Sequence, residues 1–186
     1  MSEVQDGAVT AAGDTVWEAI LQRRAIRRFA DHPLERAHVE RILAAARRSG
    51  SSKNQQRWDF IVCRDRDHLR ELSVVGPYAG HLAGAAVAIA LVTPDPRSTD
   101  APLSVMFDLG QAAANMQLAA WELGIGSCPA TVYDHALAAR LLGLPADRHC
   151  EFFLSFGYPA DPGELEAPLR IGGRRPLGEL VHEERW

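Results

Sequence analysis

The stretch SVMFDLGQAAANMQLAAWELG, residues 104–124, is the longest helical pattern in the chain. Its apolar residues recur three and four positions apart, and Gly124 stands after the last of them, where a helix often ends. The alanines of this stretch fall on more than one face of the helix. We therefore predict a long helix that is buried on several sides.

Shorter helices are predicted on both sides of this stretch. Thr15 and Glu18 have the spacing of a capping box, and the first helix runs from there toward a group of arginines, so its last turn is expected to carry positive charge. A second helix is predicted from about Leu34 to Arg48. Further helices are expected after Asp65, which can cap a helix N-terminus, and from Asp134.

Three segments are rich in aromatic and β-branched residues, which favour strands. They are WDFIVC (58–63), AVAIALV (86–92) and CEFFLSFG (150–157). Helices outweigh strands, and the two do not alternate regularly as they do in a doubly wound sheet. The sequence therefore predicts the α+β class, with helices around a small sheet.

The composition is that of an ordinary globular protein. Apolar residues make up 47% and charged residues 24% of the 186 residues. The net charge of −4 argues against a nucleic-acid-binding protein, because such domains are usually basic. We interpret residues 1–13 as a flexible tail and residues 14–186 as a single domain.

Three features of the sequence bear on cellular location. The N-terminal residues lack the basic start and the apolar core of a secretory signal. The longest apolar run, residues 82–92, is too short to cross a bilayer. Three widely spaced cysteines fit reduced thiols better than a disulfide framework. A cytoplasmic protein without a membrane partner is expected.

Two groups of arginines are candidate anion-binding sites. RRAIRRF (23–29) contains Arg23, Arg24 and Arg27, and GGRRP (172–176) contains Arg174 and Arg175. A guanidinium group matches phosphate oxygens in pairs and stays charged at any relevant pH. Convergence of the two groups on one phosphate monoester is one interpretation. Solvated arginines near a helix C-terminus are the other.

A polar segment, SGSSKNQQRWDF (49–60), joins a predicted helix to a predicted strand. Its side chains at Ser51, Ser52, Asn54 and Gln56 can donate and accept hydrogen bonds at the edge of a heterocycle. A connector without a ligand is the alternative.

Other kinds of site have little support. No phosphate-binding G-x-x-x-x-G-K-[ST] motif occurs. The seven histidines are scattered without ligand spacing, so no metal site is expected. No Ser/His/Asp set can be assembled, so no side chain is assigned as catalytic.

Five motifs, in order along residues 15–186, together resemble the FMN-dependent nitroreductase family. That family has an R-R-S-x-R-x-F opening, a P-S-x-x-N-x-Q-P-W-x-F stretch, a long helix ending in L-x-A-x-x-x-G-x-G, a late strand followed by G-Y-P, and an arginine pair before P-L. The corresponding stretches here are RRAIRRF, GSSKNQQRWDF, LAAWELGIG, SFGYP and RRPLGELVHEERW.

The resemblance implies an FMN flavoprotein with a small mixed or antiparallel sheet, built as an intertwined homodimer with flavin at the subunit interface. The first arginines, helped by Arg174 or Arg175, would hold the phosphate and ribityl end, and the polar segment would touch the ring from the partner subunit. The segment from Pro129 to Thr131 would lie near the reactive edge of the ring. The implied cofactor-binding residues are Arg23, Arg24, Ala25, Arg27, Ser51, Ser52, Asn54, Gln56, Pro129, Ala130, Thr131, Arg174 and Arg175.

The implied activity is ping-pong transfer of hydride from NADH or NADPH through flavin to a nitroaromatic, a quinone or a related small molecule. Ala25 replaces the family's usual serine, and Gly50 and Arg57 stand where prolines are common. Two alternatives stay open. The first is the same fold acting on an enoate, a halogenated aromatic or a deazaflavin-linked acceptor, and the second is a non-catalytic flavin-binding sensor.

Overall fold

The computed structural model describes residues 15–97, 103–167 and 173–186, and the predicted tail at residues 1–13 lies outside these ranges. We propose that residues 14–186 form one domain. Nine helices and strands are found within the described residues. They are α1 (Thr15–Gln22), α2 (Arg36–Arg47), β1 (Asp59–Cys63), α3 (Arg66–Leu72), β2 (Val87–Pro94), α4 (Ser104–Glu122), β3 (Gly126–Thr131), α5 (His135–Leu142) and β4 (Arg148–Gly157).

The four strands form one sheet in the order β1-β2-β4-β3, and every neighbouring pair is antiparallel. Side chains of β2 alternate between two cores, as the two-residue period of a strand requires. Val87, Ile89 and Leu91 pack with α2 and α4, whereas Ala88 and Ala90 pack with α3 and α5. Helices therefore cover both faces of the sheet, and the predicted α+β class is confirmed.

The predicted strands at 58–63, 86–92 and 150–157 are all present, and β3 was missed. Its sequence, GSCPAT, contains a glycine and a proline, which are poor strand formers. The proline is tolerated because β3 is an edge strand. Ile26 N–H donates to Ser127 O, and Val132 N–H donates to Glu151 O on β4. By alternation, the nitrogen of Pro129 faces away from β4, so no ladder hydrogen bond is lost.

The end of α1 corrects one prediction. The helix ends at Gln22, and its last turn carries no basic residue. Ala25 forms a parallel bridge with Ser127 of β3, and this pairing holds the following residues in an extended conformation. Arg23 and Arg24 still lie at the C-terminal end of α1, since Arg23 N–H donates to Ala19 O and Arg24 Nε donates to Gln22 O, whereas Arg27 lies beyond the bridge.

One face of α4 is buried and the other is not, so the predicted burial on several sides is wrong for the single chain. Leu109, Ala112 and Met116 pack against the sheet and α2. On another face, Phe107 is 72% exposed, and Ala114 is also exposed. We call this face, with the exposed apolar residues of α1, the outer face.

Two further observations concern location and thiols. Among the described residues, no helix combines the length and the hydropathy needed to span a bilayer. Cys63, Cys128 and Cys150 are free and buried, as predicted for reduced thiols. Burial raises the pKa of Cys63 to about 11 and that of Cys150 to about 12, so both are unreactive at neutral pH.

Candidate functional site

Residues 23–29 are held against the sheet by two close contacts. A Cβ atom on Gly126 would lie 2.7 Å from Cβ of Ile26, and one on Gly157 would lie 2.8 Å from the ring of Phe29. Only glycine allows the segment to approach this closely. Ile26 is buried, whereas Arg27 and Arg28 are exposed. The contacts thus fix the backbone and leave the guanidinium groups at the surface.

The arginines of this segment differ in how they are paired. Arg28 forms an ion pair with Glu164 at 2.7 Å. Arg24 donates from Nε to the backbone oxygen of Gln22. Across residues 15–97, 103–167 and 173–186, no carboxylate lies within 4.0 Å of Arg23, Arg24 or Arg27. These three positive charges are available to an anion.

The predicted ring-edge residues lie on β3, beside the arginine segment. Pro129 is exposed and Thr131 is half-buried, but the side chain of Ala130 is buried in the core between the sheet, α3 and α5. A ligand could therefore reach Ala130 only through its backbone. Arg27 is close enough to the Cys128 thiol to oppose the increase in pKa that burial causes there. The structure thus brings two of the predicted groups together.

A cavity of about 510 Å³ lies where these two groups meet. Its lining includes Arg27 and Pro129, which were predicted, and Tyr78 and His81, which were not. Tyr78 and His81 belong to a turn and a 3-10 helix before β2 whose sequence has no motif. Their contact with the arginine segment is entirely tertiary, so no local pattern could have indicated it.

His81 presents an unpartnered nitrogen. Ser155 Oγ donates to the backbone oxygen of Cys128 at 3.2 Å, and His81 Nδ1 lies 2.9 Å from the same Oγ. Either group of this pair can donate, depending on the tautomer of His81. Nε2 is buried and has no hydrogen-bond partner within the described residues. Burial, and next the charge of Arg27, lower the pKa of His81, so the imidazole is neutral near pH 7.

The first part of the polar segment, residues 49–57, is hydrogen-bonded to α4, and we call it the polar loop. Asp108, which is only 7% exposed, accepts from the backbone N–H of Ser52 at 2.9 Å, and Asn115 donates to Ser49 Oγ at 2.7 Å. Ser51 Oγ accepts from the backbone of Gln56, and the Gln56 amide donates to Asn54 Oδ1.

Backbone conformations in this segment are unusual. Lys53, Asn54 and Gln56 have φ values of 53°, 55° and 49°. Side chains disfavour this left-handed region, so such residues persist only where surrounding contacts hold them. Ser52, Asn54 and Gln56 are exposed and Ser51 is half-buried, so their polar groups face outward. The surrounding hydrogen bonds therefore hold this segment in a fixed conformation with its polar groups toward solvent.

The polar loop contacts α4 directly, whereas the arginine segment is linked to α4 through β3. Asp108 and Asn115 of α4 hold the loop, and Gln117 donates to the side chain of Ser127, the residue that pairs with Ala25. Among the described residues, no hydrogen bond or ion pair joins the arginine segment to the loop. We call them the two candidate half-sites.

The tail arginines do not join either half-site within the chain. Arg174 donates to the backbone of Gly173, and Arg175 bonds to the side chain and backbone of Glu179. All residues from 173 to 186 are exposed. Within the described residues, no hydrogen bond links these two arginines to Arg23, Arg24 or Arg27, and their convergence stays a prediction.

Comparison with known proteins identifies the family. The model of the nitroreductase family matches residues 20–75 and 73–158, which together make up more than half of the chain. The chain belongs to the nitroreductase family. The two matched ranges include the arginine segment, the polar loop and β3, and the family predicted from the five motifs is confirmed.

Individual relatives in the nitroreductase family agree with this result. A protein of Archaeoglobus fulgidus, provisionally named NADH dehydrogenase/NAD(P)H nitroreductase, is 36% identical over 173 residues, which cover 90% of this chain and 96% of that protein. The oxygen-insensitive NADPH nitroreductase of Salmonella typhimurium is 31% identical over 189 residues, covering 91% of this chain and 73% of that protein.

Solved structures of nitroreductases share the fold. An FMN-dependent nitroreductase from Clostridium difficile superposes with a TM-score of 0.78 at 25% identity, covering 91% of this chain and 99% of that one. Nitroreductase A from Vibrio parahaemolyticus superposes with a TM-score of 0.80 at 24% identity, covering 95% of this chain and 77% of that one. The predicted nitroreductase fold is confirmed.

Proposed function

We propose that this nitroreductase-family chain is an FMN-dependent oxidoreductase that transfers electrons from NADH or NADPH to nitroaromatic, quinone or related acceptors. The observation that carries the proposal is the arginine segment: Arg23, Arg24 and Arg27 form no ion pair within the described residues, and Arg27 lines a cavity together with Pro129. A dianionic phosphate would pair with these charges, and the heterocycle attached to it would occupy the cavity.

The donor set suits FMN in two respects. Arg23, Arg24 and Arg27 can bind phosphate oxygens with charge-assisted hydrogen bonds. Ser52, Asn54 and Gln56 offer further polar groups on a loop whose backbone is held by Asp108. These side chains have charges and hydrogen-bonding groups that match those of FMN, and we propose that they hold the cofactor.

When bound, FMN would supply a carrier that takes hydride from the nicotinamide and passes electrons to the acceptor. The side chains of the protein would bind the cofactor and orient it. Arg27 would hold the phosphate end of the cofactor, and His81, which is neutral near pH 7, would line the same cavity. No side chain is proposed to react. We propose that donor and acceptor enter the same cavity in turn.

A homodimer is proposed because the single chain leaves surfaces that a second copy would cover. The outer face exposes Trp17 and Ile20 of α1 and Phe107 of α4, and a cavity of about 800 Å³ lies between α1, α2 and α4. Exposed apolar area of this extent marks an interface. In the tail, Leu177 is 67% exposed and Trp186 is fully exposed.

The same dimer would complete the active site. We propose that the polar loop of one subunit meets the arginine segment of the other across a twofold axis. The tail arginines, Arg174 and Arg175, would join the phosphate site in the assembled dimer. A location in the cytoplasm, where the three free thiols would stay reduced, is also proposed.

Reconstitution tests this proposal directly. The purified protein, incubated with excess FMN and then separated from free flavin, is expected to retain the visible absorption of oxidised flavin, one FMN per chain. Adding NADH or NADPH without oxygen is expected to bleach that absorption, and a quinone or nitroaromatic to restore it. A protein that stays colourless would overturn the proposal. Retained flavin that neither nucleotide reduces would support the sensor alternative, and reduced flavin that only an enoate or a halogenated aromatic reoxidises would support the other acceptor class.

A further inference from the structure

A cluster of two histidines and one glutamate lies away from the arginine segment, where α5 begins beside β4. His135 Nε2 is 3.0 Å from Glu151 Oε2, and His149 Nε2 is 2.7 Å from the same oxygen. The two imidazole rings stack with centroids 4.7 Å apart. The potential ligand atoms of all three residues lie within 4.8 Å of one another.

The backbone fixes these three side chains. A β-bulge interrupts the pairing of β2 with β4, since Leu91 pairs with Phe152 and Val92 with Cys150, which leaves Glu151 without a partner on β2. Bulges commonly redirect a side chain. His135 is the first residue of α5, directly after its N-cap Asp134, whose backbone N–H donates to Val75. The cluster is thus assembled by the fold rather than by flexible surface residues.

Burial and charge favour a cation at this point. The side chain of His149 is 6% exposed, whereas those of Glu151 and His135 are 28% and 32% exposed, so the cluster is closed on one side and open on the other. Burial acts to raise the pKa of Glu151, but hydrogen bonds and charge from His149 and His135 lower it overall, so the group is a carboxylate at neutral pH. His135 also lines a cavity of about 930 Å³.

We propose that His135, His149 and Glu151 bind a divalent transition-metal ion such as Zn²⁺. Two imidazoles and one carboxylate are a common zinc ligand set, and the open side leaves room for water as a fourth ligand. Tetrahedral bond lengths place ligand atoms about 3.4 Å apart, so the two nitrogen–oxygen distances must widen by about 0.4 to 0.7 Å, and the nitrogen–nitrogen distance, at most 4.8 Å, must come to the same value.

The bound ion would connect α5 to β4 and stabilise the fold there. Its ligands come from two elements, and a ligand that binds only the folded chain adds to stability. The sequence predicted no metal site because His135 is distant along the chain from His149 and Glu151. Zinc is not redox-active, so this role is separate from the proposed oxidoreductase activity and does not depend on it.

The alternative interpretation is a hydrogen-bonded cluster without metal. A variant of Arg97 distinguishes the two interpretations. The guanidinium of Arg97 lies 3.4 Å from His149 Nδ1, which must accept if Nε2 donates to Glu151. Metal on Nε2 would move the imidazole proton to Nδ1, where it would face another donor. Arg97→Gln is therefore expected to bind the ion more tightly than the wild type. Weaker binding in this variant would contradict coordination through Nε2.

Calorimetric titration of Zn²⁺ into untagged protein, stripped of metal by a chelator, tests the proposal. One ion per chain is expected, with a matching increase in melting temperature. His135→Ala and Glu151→Gln, both at partly exposed positions, are each expected to weaken binding by at least about tenfold. Co²⁺ should give the visible spectrum of a four-coordinate site in the wild type and lose it in these variants.

His68→Ala is the matched control. His68 lies 3.7 Å from Glu71 on the surface of α3, an ordinary histidine–glutamate pair without a third ligand. This variant is expected to bind Zn²⁺ as the wild type does. Absence of binding by the wild type, or equal binding by His135→Ala and Glu151→Gln, would overturn the proposal.

Discussion

The central sheet and the outer face of α4 differ in how completely the single chain covers them. Seven consecutive residues of β2, from Val87 to Thr93, are buried, with helices on both faces of the sheet. On α4, Phe107 is 72% exposed, and Leu103 just before the helix is 84% exposed. The chain contains a complete core and, beside it, an apolar surface that nothing in the described chain covers.

The two candidate half-sites follow the same division. The arginine segment is anchored at the sheet, through the pairing of Ala25 with Ser127, and the polar loop is anchored on α4 through Asp108. Residues that support folding are thus satisfied within one chain, and we propose that the functional residues need a second chain to complete them. Perturbing each region separately tests this division.

The largest effect is expected in the sheet. Phe153→Ala removes a fully buried ring from the core between the sheet, α3 and α5 and should lower the free energy of unfolding by about 3 to 5 kcal/mol. Urea denaturation measures it. Phe107→Ala, on the outer face, is the matched control and should act mainly on dimer affinity. Equal losses of unfolding free energy in the two variants, measured at one protein concentration, would contradict the distinction between the sheet and the outer face.

The next effect concerns the outer face itself. Ala114→Glu places a charge on the exposed side of α4 and should raise the dimer dissociation constant at least about a hundredfold, because the interface would bury an unpaired carboxylate. Sedimentation velocity measures the dissociation. Ala136→Glu, at an exposed position of α5 on the opposite side of the sheet, is the control and should remain dimeric. If Ala114→Glu remains dimeric, the dimer interface does not include this face of α4.

Flavin affinity separates paired from unpaired arginines. Arg23→Ala should weaken FMN binding by about 1.5 to 3 kcal/mol, the value of a charge-assisted hydrogen bond. Arg28→Ala is the control, since Arg28 is already paired with Glu164. Fluorescence titration of FMN measures both. Unchanged affinity in Arg23→Ala would remove this residue from the site.

The smallest effect is on pH dependence. The pKa of His81 is lowered in the folded chain, first by burial and then by Arg27, so the unfolded chain binds a proton more readily below about pH 6.5. Stability should therefore fall as the pH decreases from about 7.5 to about 5.5. In His81→Gln this contribution is absent, and the fall measured by urea denaturation should be smaller. An equal fall in both proteins would mean that His81 does not titrate differently on folding.

The sequence predicted those parts of the fold that depend on local pattern. Residues 86–92 form a continuous apolar run because both faces of β2 are covered, and Asp65 caps α3 by accepting from two backbone N–H groups, as expected. The strand β3 could not be predicted, because Gly126 is needed for the approach of Ile26 and Pro129 is tolerated only at a sheet edge. Both requirements come from tertiary structure.

The candidate site was predictable to a similar extent. Arginines and polar residues in RRAIRRF and SSKNQ indicated an anion and a heterocycle from residue type alone. The sequence could not indicate that α1 ends before the arginines, or that the arginine segment is anchored at the sheet and the polar loop on α4. Nor could it indicate His81. This residue lies near Arg27 because of how its segment packs, and that segment contains no motif.

Complementation between two defective subunits tests the shared site most directly. One variant carries Arg23→Ala and Arg27→Ala, and the other carries Ser52→Ala and Asn54→Ala. Each homodimer should bind FMN poorly. If every site takes its arginines from one chain and its loop from the other, a randomly paired mixture of the two should recover normal affinity at about one quarter of its sites, because each mixed dimer contains one site with both parts intact. A mixture that binds no more FMN than the two separate variants would contradict the account.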